Sequence, residues 1–165
     1  MKIFAFYFIF LIFINAQTIK INLITTNDMH GVIGKQEAAF MNPQYPPTII
    51  GGSAFSKYVD KLKIEAKNNK EGLLILDGGN FFQGSSLGLH DQGKTMIQWM
   101  NRIGYDALVP GIYDFILGDL NLNELSKEAI FPFLFSNIEC IECPLTSNKI
   151  IPYIIKDIEN IKVGI

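Results

Sequence analysis

Asp28 and His30 are the residues of this sequence whose types and spacing most directly suggest chemistry. In an extended backbone, residues i and i+2 point to the same side, so a carboxylate and an imidazole at this spacing can share one divalent cation. Gly31 follows and allows the chain to turn away at once. Taken alone, such a pair near a loop is more often a solvated surface pair than a metal site, so the interpretation depends on its surroundings.

Two other groups of polar residues follow apolar segments in the same way. Residues 72–77 form an apolar run that ends in Asp77, a pattern typical of a strand buried on both faces, and Asn80 comes soon after. Asp114 lies in a turn after another apolar segment. Each of the three polar groups therefore comes at the end of a predicted strand.

The segments that position these groups alternate between strand and helix patterns. β-Branched and apolar runs predict strands at residues 19–25, 72–77, 106–110, 131–136, 150–156 and 161–165. Helical spacing predicts helices that begin at Gly52 and span residues 94–103 and 121–129. Asn121 is the expected N-cap of the last helix. This order predicts an α/β domain with a largely parallel central sheet, in which the polar groups should meet beyond the carboxyl ends of the strands.

Length, composition and charge are those of an ordinary globular domain. The chain has 165 residues, of which 48% are hydrophobic and 18% charged, which is enough to bury a core. The formal net charge is −2 and no run of like charge is present, so composition argues against a nucleic acid polymer as a partner.

The amino terminus differs from the rest of the chain. Lys2 precedes an unbroken apolar run at residues 3–14, and a polar break with the small residue Ala16 follows. This pattern predicts a secretory signal that is processed after Ala16. A membrane anchor is the alternative, but a spanning helix needs about 20 apolar residues, and this run has 12. We therefore expect export to the periplasm or the extracellular space, leaving residues 17–165 without a membrane span.

Cys140 and Cys143 form a C-x-x-C sequence. They are a candidate disulfide, because an exported chain meets an oxidising compartment. A redox-active pair would be expected at a helix N-terminus, and Pro144 follows here instead. A zinc site would need further Cys or His residues nearby, which the sequence does not supply. A structural or incidental pair is the interpretation that we favour.

The succession of these motifs resembles the 5′-nucleotidase family of metallophosphoesterases, which contain a calcineurin-like phosphoesterase domain. The residues that carry the likeness are 27–31, 51–52, 76–85, 104–107 and 111–115. The likeness extends over nearly all of residues 17–165. It implies a sandwich of two mixed sheets flanked by helices, incomplete at the carboxyl end of this chain, and two metal ions held by loops at the strand ends.

The resemblance also implies roles for individual residues. Asp28 and His30 match the family's first metal-binding motif. Asn80 stands where the family has an aspartate that bridges two metals, and a neutral amide is a weaker bridge. Ile112 and Tyr113 stand where the family has a metal-binding Asn and a catalytic His. An aliphatic side chain cannot bind a metal, and the Tyr113 phenol is neutral near pH 7.

These differences bear on the cofactor. A two-metal site holds both the attacking and the leaving oxygens of the reaction. Asp28, His30 and the weakened Asn80 favour one divalent ion, such as zinc or manganese, over two. Asp77 and Asp114 lie in the same loops and could supply substitute ligands. For Asp77, the alternative that we favour is a carboxylate that caps the glycine-rich turn after it.

The function that the resemblance implies is hydrolysis of a small phosphate ester, with 5′-nucleotides as the leading substrates, by an exported metal-dependent enzyme. The family's later histidine ligands and its C-terminal substrate-binding domain lie beyond residue 165, so we expect weak or no activity from this chain. A non-catalytic exported binding protein that kept the fold but lost the second metal is the main alternative. A one-metal enzyme, cyclic-nucleotide phosphodiesterase chemistry and thiosulfate-ester hydrolysis also stay open, because fold does not fix substrate.

Overall fold

The computed structural model describes residues 18–49 and 51–165. The expected export signal at residues 1–16 lies outside the described residues. The strands are β1 (Ile21–Thr26), β2 (Gln36–Glu37), β3 (Thr48–Ile49), β4 (Gly72–Asp77), β5 (Ala107–Leu108), β6 (Phe133–Leu134), β7 (Ile150–Ile151), β8 (Ile155–Ile158) and β9 (Ile161–Gly164). The helices are α1 (Gly52–Asn69), α2 (Ser86–His90), α3 (Lys94–Ile103), α4 (Asp119–Glu128) and a 3₁₀ helix at Ile112–Phe115. None of the helices in this part of the chain is long and apolar enough to cross a membrane.

Five strands form one parallel sheet in the order β1-β4-β5-β6-β7. The β1–β4 pair keeps its register from Ile21 opposite Gly72 to Thr26 opposite Asp77. The α/β class with a largely parallel central sheet is therefore confirmed. Of the two mixed sheets that the resemblance implies, the described residues form one parallel sheet, and their antiparallel pairing is confined to the short ribbons β2–β3 and β8–β9.

Strand order follows chain order across the sheet, and this determines where the helices lie. Connections between parallel strands are right-handed as a rule, so connections that always advance in one direction place their helices on the same face. Accordingly, α1 packs against α3, and α3 packs against α4. The carboxyl ends of β1, β4 and β5 come together at one edge of the sheet, as the sequence predicts.

The core lies between the sheet and these helices. It contains Val59 of α1, Met96 and Met100 of α3, Leu122 of α4 and Phe133 of β6, and all five are fully buried. In α3 the core residues recur at the helical spacing that the sequence shows. The core therefore fixes the sheet against one helical layer and leaves the strand ends free to carry polar loops.

Two details of the elements differ from the sequence prediction. The helix α4 begins at Asp119 with Gly118 as its N-cap, so the prediction of Asn121 as the cap is wrong. Gly118 ends the preceding turn at a φ of 83°, which favours glycine, and the Asn121 side chain instead donates to the Gln92 carbonyl (3.1 Å). Helix α2 and the β2–β3 ribbon have no counterpart in the prediction, because they are too short to show a period.

Candidate metal centre

The loops after β1 and β4 are joined by backbone hydrogen bonds beyond the sheet itself. The Asp28 N–H donates to the Gly79 carbonyl (3.0 Å), and the His30 N–H donates to the Asn80 carbonyl (2.9 Å). This short ladder continues the parallel pairing of the two strands past their ends. It brings the side chains of Asp28, His30 and Asn80 together.

Asp28, His30 and Asn80 share an unusual backbone conformation. Their φ angles are 52°, 50° and 55°, in the left-handed region that Asp, Asn and His tolerate better than other non-glycine residues. The extended segment that the sequence argument assigns to Asp28 and His30 is therefore wrong. Their side chains approach each other because two left-handed residues curl the loop, not because a pleated strand carries them.

The His30 ring is oriented by a backbone carbonyl. Its Nδ1 lies 2.7 Å from the Gln83 carbonyl oxygen. A carbonyl can only accept, so Nδ1 is the donor in this contact, and Nε2 is the ring nitrogen left available to bind a cation. That Nε2 lies 3.9 Å from Asp28 Oδ1, and both side chains are partly exposed, at 37% and 50%. An imidazole anchored through one nitrogen with the other free is the arrangement of a metal-binding histidine.

The Asp28–His30 pair fits one divalent ion. Two ligand atoms about 2.1 Å from a tetrahedral ion lie about 3.4 Å apart. The observed 3.9 Å between Nε2 and Oδ1 needs only a small inward movement of either side chain. The pair supplies two ligands, and within the described part of the chain no three His, Cys, Asp or Glu side chains are grouped as they would be around a metal.

The Asn80 side chain does not face this position with its oxygen. Its Nδ2 donates to Asp28 Oδ1 (2.7 Å), and its Oδ1 accepts the backbone N–H of Tyr113 (3.0 Å). A backbone N–H can only donate, so the two ends of the amide are held in this orientation. Ile112 offers no ligand atom, and its side chain is largely exposed. The second ion that the resemblance implies therefore does not fit the residues present.

Asp77 is buried and fully engaged. Its Oδ1 accepts the Gly79 N–H (2.8 Å), which caps the glycine-rich turn, and its Oδ2 accepts the Thr26 hydroxyl. The Thr26 Oγ1 also lies 2.9 Å from the Tyr105 hydroxyl. Burial raises the pKa of Asp77 to about 6, and the charges of Asp114 and Asp28 add to this, while the two hydrogen bonds oppose it.

Asp114 is completely buried and holds two loops together. Its Oδ2 accepts the N–H groups of Asn80 (2.7 Å) and Gly111 (2.9 Å), and its Oδ1 accepts the Phe81 N–H (3.0 Å). Burial raises the pKa of Asp114 to about 6, although these hydrogen bonds favour the ionised form. In this geometry the oxygens of Asp77 and Asp114 are directed at backbone and hydroxyl donors, not at the space between Asp28 and His30.

Tyr113 lies beside the Asp28–His30 pair. The Tyr113 ring meets the His30 ring edge-on, with centroids 5.9 Å apart, and its side chain is about half exposed.

Cys140 and Cys143 are joined as a disulfide, with Cα atoms 5.5 Å apart, in the loop between β6 and β7.

Sequence reasoning missed what three residues do at the site, although it named Asp114 as a possible substitute ligand. The Gln83 carbonyl orients His30, Asp114 clamps the loops, and Gly111 makes room for Asn80. A Cβ on Gly111 would lie 2.2 Å from Asn80 Oδ1. Of these, only the glycine left a visible signal, since a glycine directly after a predicted strand often marks a close approach of backbone.

The sequence and the fold of this chain were both compared with those of known proteins. No protein-family model matches the chain. A snake venom 5′-nucleotidase from Gloydius brevicauda is 30% identical over 154 residues, which cover 91% of this chain and 25% of that protein. Protein UshA from Salmonella pullorum is 32% identical over 122 residues, which cover 74% of this chain and 20% of that protein. The chain thus spans about a quarter of the length of the curated relatives that it matches.

A solved structure has the same fold. The crystal structure of a 5′-nucleotidase precursor from Thermus thermophilus superposes with a TM-score of 0.74 at 24% sequence identity. The match covers 86% of this chain and 27% of that one. At this level of identity the superposition establishes the fold, and the sequence relatives establish common descent.

Proposed function

Because the chain is homologous to the N-terminal part of the 5′-nucleotidases, we propose that it belongs to an exported, divalent-cation-dependent phosphoesterase of that type. Its substrates would be small phosphate esters, with 5′-nucleotides first among them. The observation that carries the proposal is the pairing of Asp28 with a His30 ring whose Nδ1 is already anchored. Residues 17–165 would form the N-terminal portion of the metallophosphoesterase domain.

Some side chains at the strand ends would bind the cation, and others would orient the phosphate ester. A cation held by Asp28 and His30 would supply the positive charge that polarises a phosphoryl group. The Gln83 carbonyl accepts from His30 Nδ1 and holds the ring with Nε2 turned towards Asp28. Tyr113 lies against His30, where its hydroxyl could donate a hydrogen bond to a phosphoryl oxygen. In this role Tyr113 would orient the ester.

We expect turnover by this chain to be slow. Two protein ligands are fewer than the three that catalytic zinc sites commonly use. The second ion does not fit, because Asn80 Oδ1 is bonded to the Tyr113 N–H. Without it, only one of the two reacting oxygens of an in-line displacement would be close to a positive charge.

Cation binding and hydrolysis can be tested on the same samples. We would titrate Mn²⁺ into the chain by calorimetry and follow phosphate release from 5′-AMP. The matched variants are Asp28→Asn, which tolerates the left-handed φ, and His90→Asn, which changes the exposed second histidine of the chain. We expect one Mn²⁺ per chain, bound at least about tenfold more weakly by Asp28→Asn and equally by His90→Asn. Equal binding by all three proteins would contradict the proposal.

A non-catalytic exported binding protein is the second candidate. The observations that favour it are the aliphatic Ile112 and the engaged Asn80 amide, at positions where the family resemblance implies metal ligands. Mn²⁺ binding without any phosphate release, combined with saturable binding of 5′-AMP, would support this candidate over the enzyme.

Export itself is testable apart from the chemistry. The proposed signal at residues 1–16 would be removed after Ala16, so the exported chain should begin at Gln17. Mass spectrometry of the secreted protein would detect this terminus. A cell-associated chain that retains Met1 would contradict export with cleavage.

A further inference from the structure

We propose that the side-chain amide of Asn80 joins the loops after β1, β4 and β5 in place of the second cation. The hydrogen bonds of one neutral group would then keep the three loops together when no divalent ion is bound. The proposal relies on the proposed function only for the position of the remaining cation, at Asp28 and His30.

The contacts of Asn80 reach both neighbouring loops. Asn80 is carried by the loop after β4, its Nδ2 donates to Asp28 in the loop after β1 (2.7 Å), and its Oδ1 accepts from Tyr113 after β5 (3.0 Å). An amide offers a donor and an acceptor at once, and the two neighbours require one of each. An ionised carboxylate at this position would offer two acceptors and could bond only to Tyr113.

Charge explains why the amide removes the need for a cation. A carboxylate at position 80 would place a second negative oxygen at hydrogen-bond distance from Asp28 Oδ1, and such a pair needs a cation or a shared proton between its members. The amide places a donor there instead. Asn27 Nδ2 also donates to Asp28 Oδ2 (2.6 Å), so both carboxylate oxygens have an amide partner in the cation-free chain.

The backbone is shaped to seat this side chain. Gly111 lies against it so closely that a Cβ would be 2.2 Å from Asn80 Oδ1. The φ of Asn80 is 55°, a conformation that Asn and Asp both tolerate. Asn80→Asp therefore changes the charge without straining the backbone, and Asn80→Gly removes the amide without straining it.

The first test needs no cation. Amide hydrogen exchange of the chain in EDTA would be followed by NMR at the Tyr113 N–H. We expect exchange at least about tenfold slower in the wild type than in Asn80→Gly, because this N–H has the amide oxygen as its partner. Rapid exchange in EDTA that slows only when Mn²⁺ is added would overturn the proposal, since a cation would then be assembling the loops.

The second test asks whether a charge at position 80 creates a need for cation. Thermal unfolding of wild type, Asn80→Asp and Asn80→Gly would be compared in EDTA and in MnCl₂. We expect both variants to melt about 3–6 °C below the wild type in EDTA. In MnCl₂ the difference from the wild type should close for Asn80→Asp and persist for Asn80→Gly. An Asn80→Asp protein that matches the wild type in both buffers would overturn the proposal. Failure of the proposed function looks different: the wild type would bind no Mn²⁺ while Tyr113 stayed protected.

Discussion

Asp28 and Asp114 both accept a hydrogen bond from Asn80, yet they belong to different parts of the molecule. Asp28 accepts from the Asn80 side chain and keeps half of its own side chain exposed. Asp114 accepts from the Asn80 backbone, is fully buried, and bonds to Gly111 and Phe81 as well. The same functional group is thus a candidate ligand in one place and a structural clamp in the other.

The difference shows that the partners of a carboxylate decide its role more than its position in a motif does. The oxygens of Asp114 are committed to three backbone N–H groups, whose satisfaction is part of folding. Those of Asp28 are bonded to two side-chain amides, and the Asp28 side chain itself is half exposed. Of the two carboxylates, only Asp28 can therefore exchange a hydrogen-bond partner for a cation without breaking hydrogen bonds to the backbone.

The largest effect should come from removing the clamp. Asp114→Ala should lower the free energy of unfolding by about 3 kcal/mol, because three buried or partly buried N–H groups lose their acceptor. Urea denaturation followed by circular dichroism would measure this. Asp60→Ala on the exposed face of α1 is the control and should change stability by less than about 0.5 kcal/mol. Equal losses in the two variants would remove the distinction between clamp and surface carboxylate.

A smaller effect should follow from crowding the amide between the two loops. Gly111→Ala would place a Cβ 2.2 Å from Asn80 Oδ1, and we expect the resulting displacement to lower the free energy of unfolding by about 2 kcal/mol. Gly34→Ala is the matched control, because no atom lies within 4 Å of its added Cβ. If Gly111→Ala proves as neutral as Gly34→Ala, the close seating of Asn80 is not needed for stability.

The buried carboxylates should also make stability depend on pH. Burial raises the pKa of Asp77 and of Asp114 from the ordinary 3.8 to about 6 in the folded chain. Between these values the folded state binds more protons than the unfolded state, so the free energy of unfolding should fall as pH rises from about 4 to 6 and then level off. Each group contributes a slope of up to about 1.4 kcal/mol per pH unit.

The variant Asp114→Asn isolates one of these two contributions. Urea denaturation from pH 4 to pH 7 should show a shallower fall in the variant than in the wild type. Parallel curves for the two proteins would mean that Asp114 has the same pKa in the folded and unfolded states, contrary to its burial.

The smallest effect on stability should come from Asp28. In EDTA, Asp28→Asn should change the free energy of unfolding by no more than about 0.5 kcal/mol, because the side chain is half exposed and the amide oxygen of Asn can still accept from Asn80 Nδ2. Adding Mn²⁺ should raise the melting temperature of the wild type and leave that of Asp28→Asn unchanged. If Asp28→Asn lowered the free energy of unfolding in EDTA as much as Asp114→Ala does, Asp28 would be a structural clamp like Asp114.

Much of the fold follows from local sequence patterns. Strand β4 and helix α3 occupy the residues that the sequence predicts, because a continuous apolar run and a clear helical spacing are strong local signals. Strand β5 is only Ala107–Leu108, where the sequence predicts 106–110, since pairing with its neighbours ends sooner than the apolar run does. The predicted N-cap of α4 is wrong because Gly118 closes the turn before Asn121 is reached.

The candidate site could be located from the sequence but not assembled from it. The meeting of three strand ends follows from parallel topology, which alternating elements predict. The left-handed φ of Asp28 and His30 does not follow, because a ladder to the loop after β4 imposes it. Nor does the clamp at Asp114, whose bond to Asn80 joins residues 34 apart in the sequence. Contacts of this kind leave no periodic trace in a single chain.

The coincidence of strand order with chain order also has a consequence for how the protein is made. Each strand from β4 to β7 pairs with the sheet strand before it in the chain, so the sheet can grow at one edge as the polypeptide emerges. Among the strands of residues 18–49 and 51–165, none has to be inserted between two that are already paired. A chain delivered amino terminus first can therefore build its hydrogen-bonded framework in the order of synthesis, with the loops of the cation position complete once β5 and the turn after it have docked.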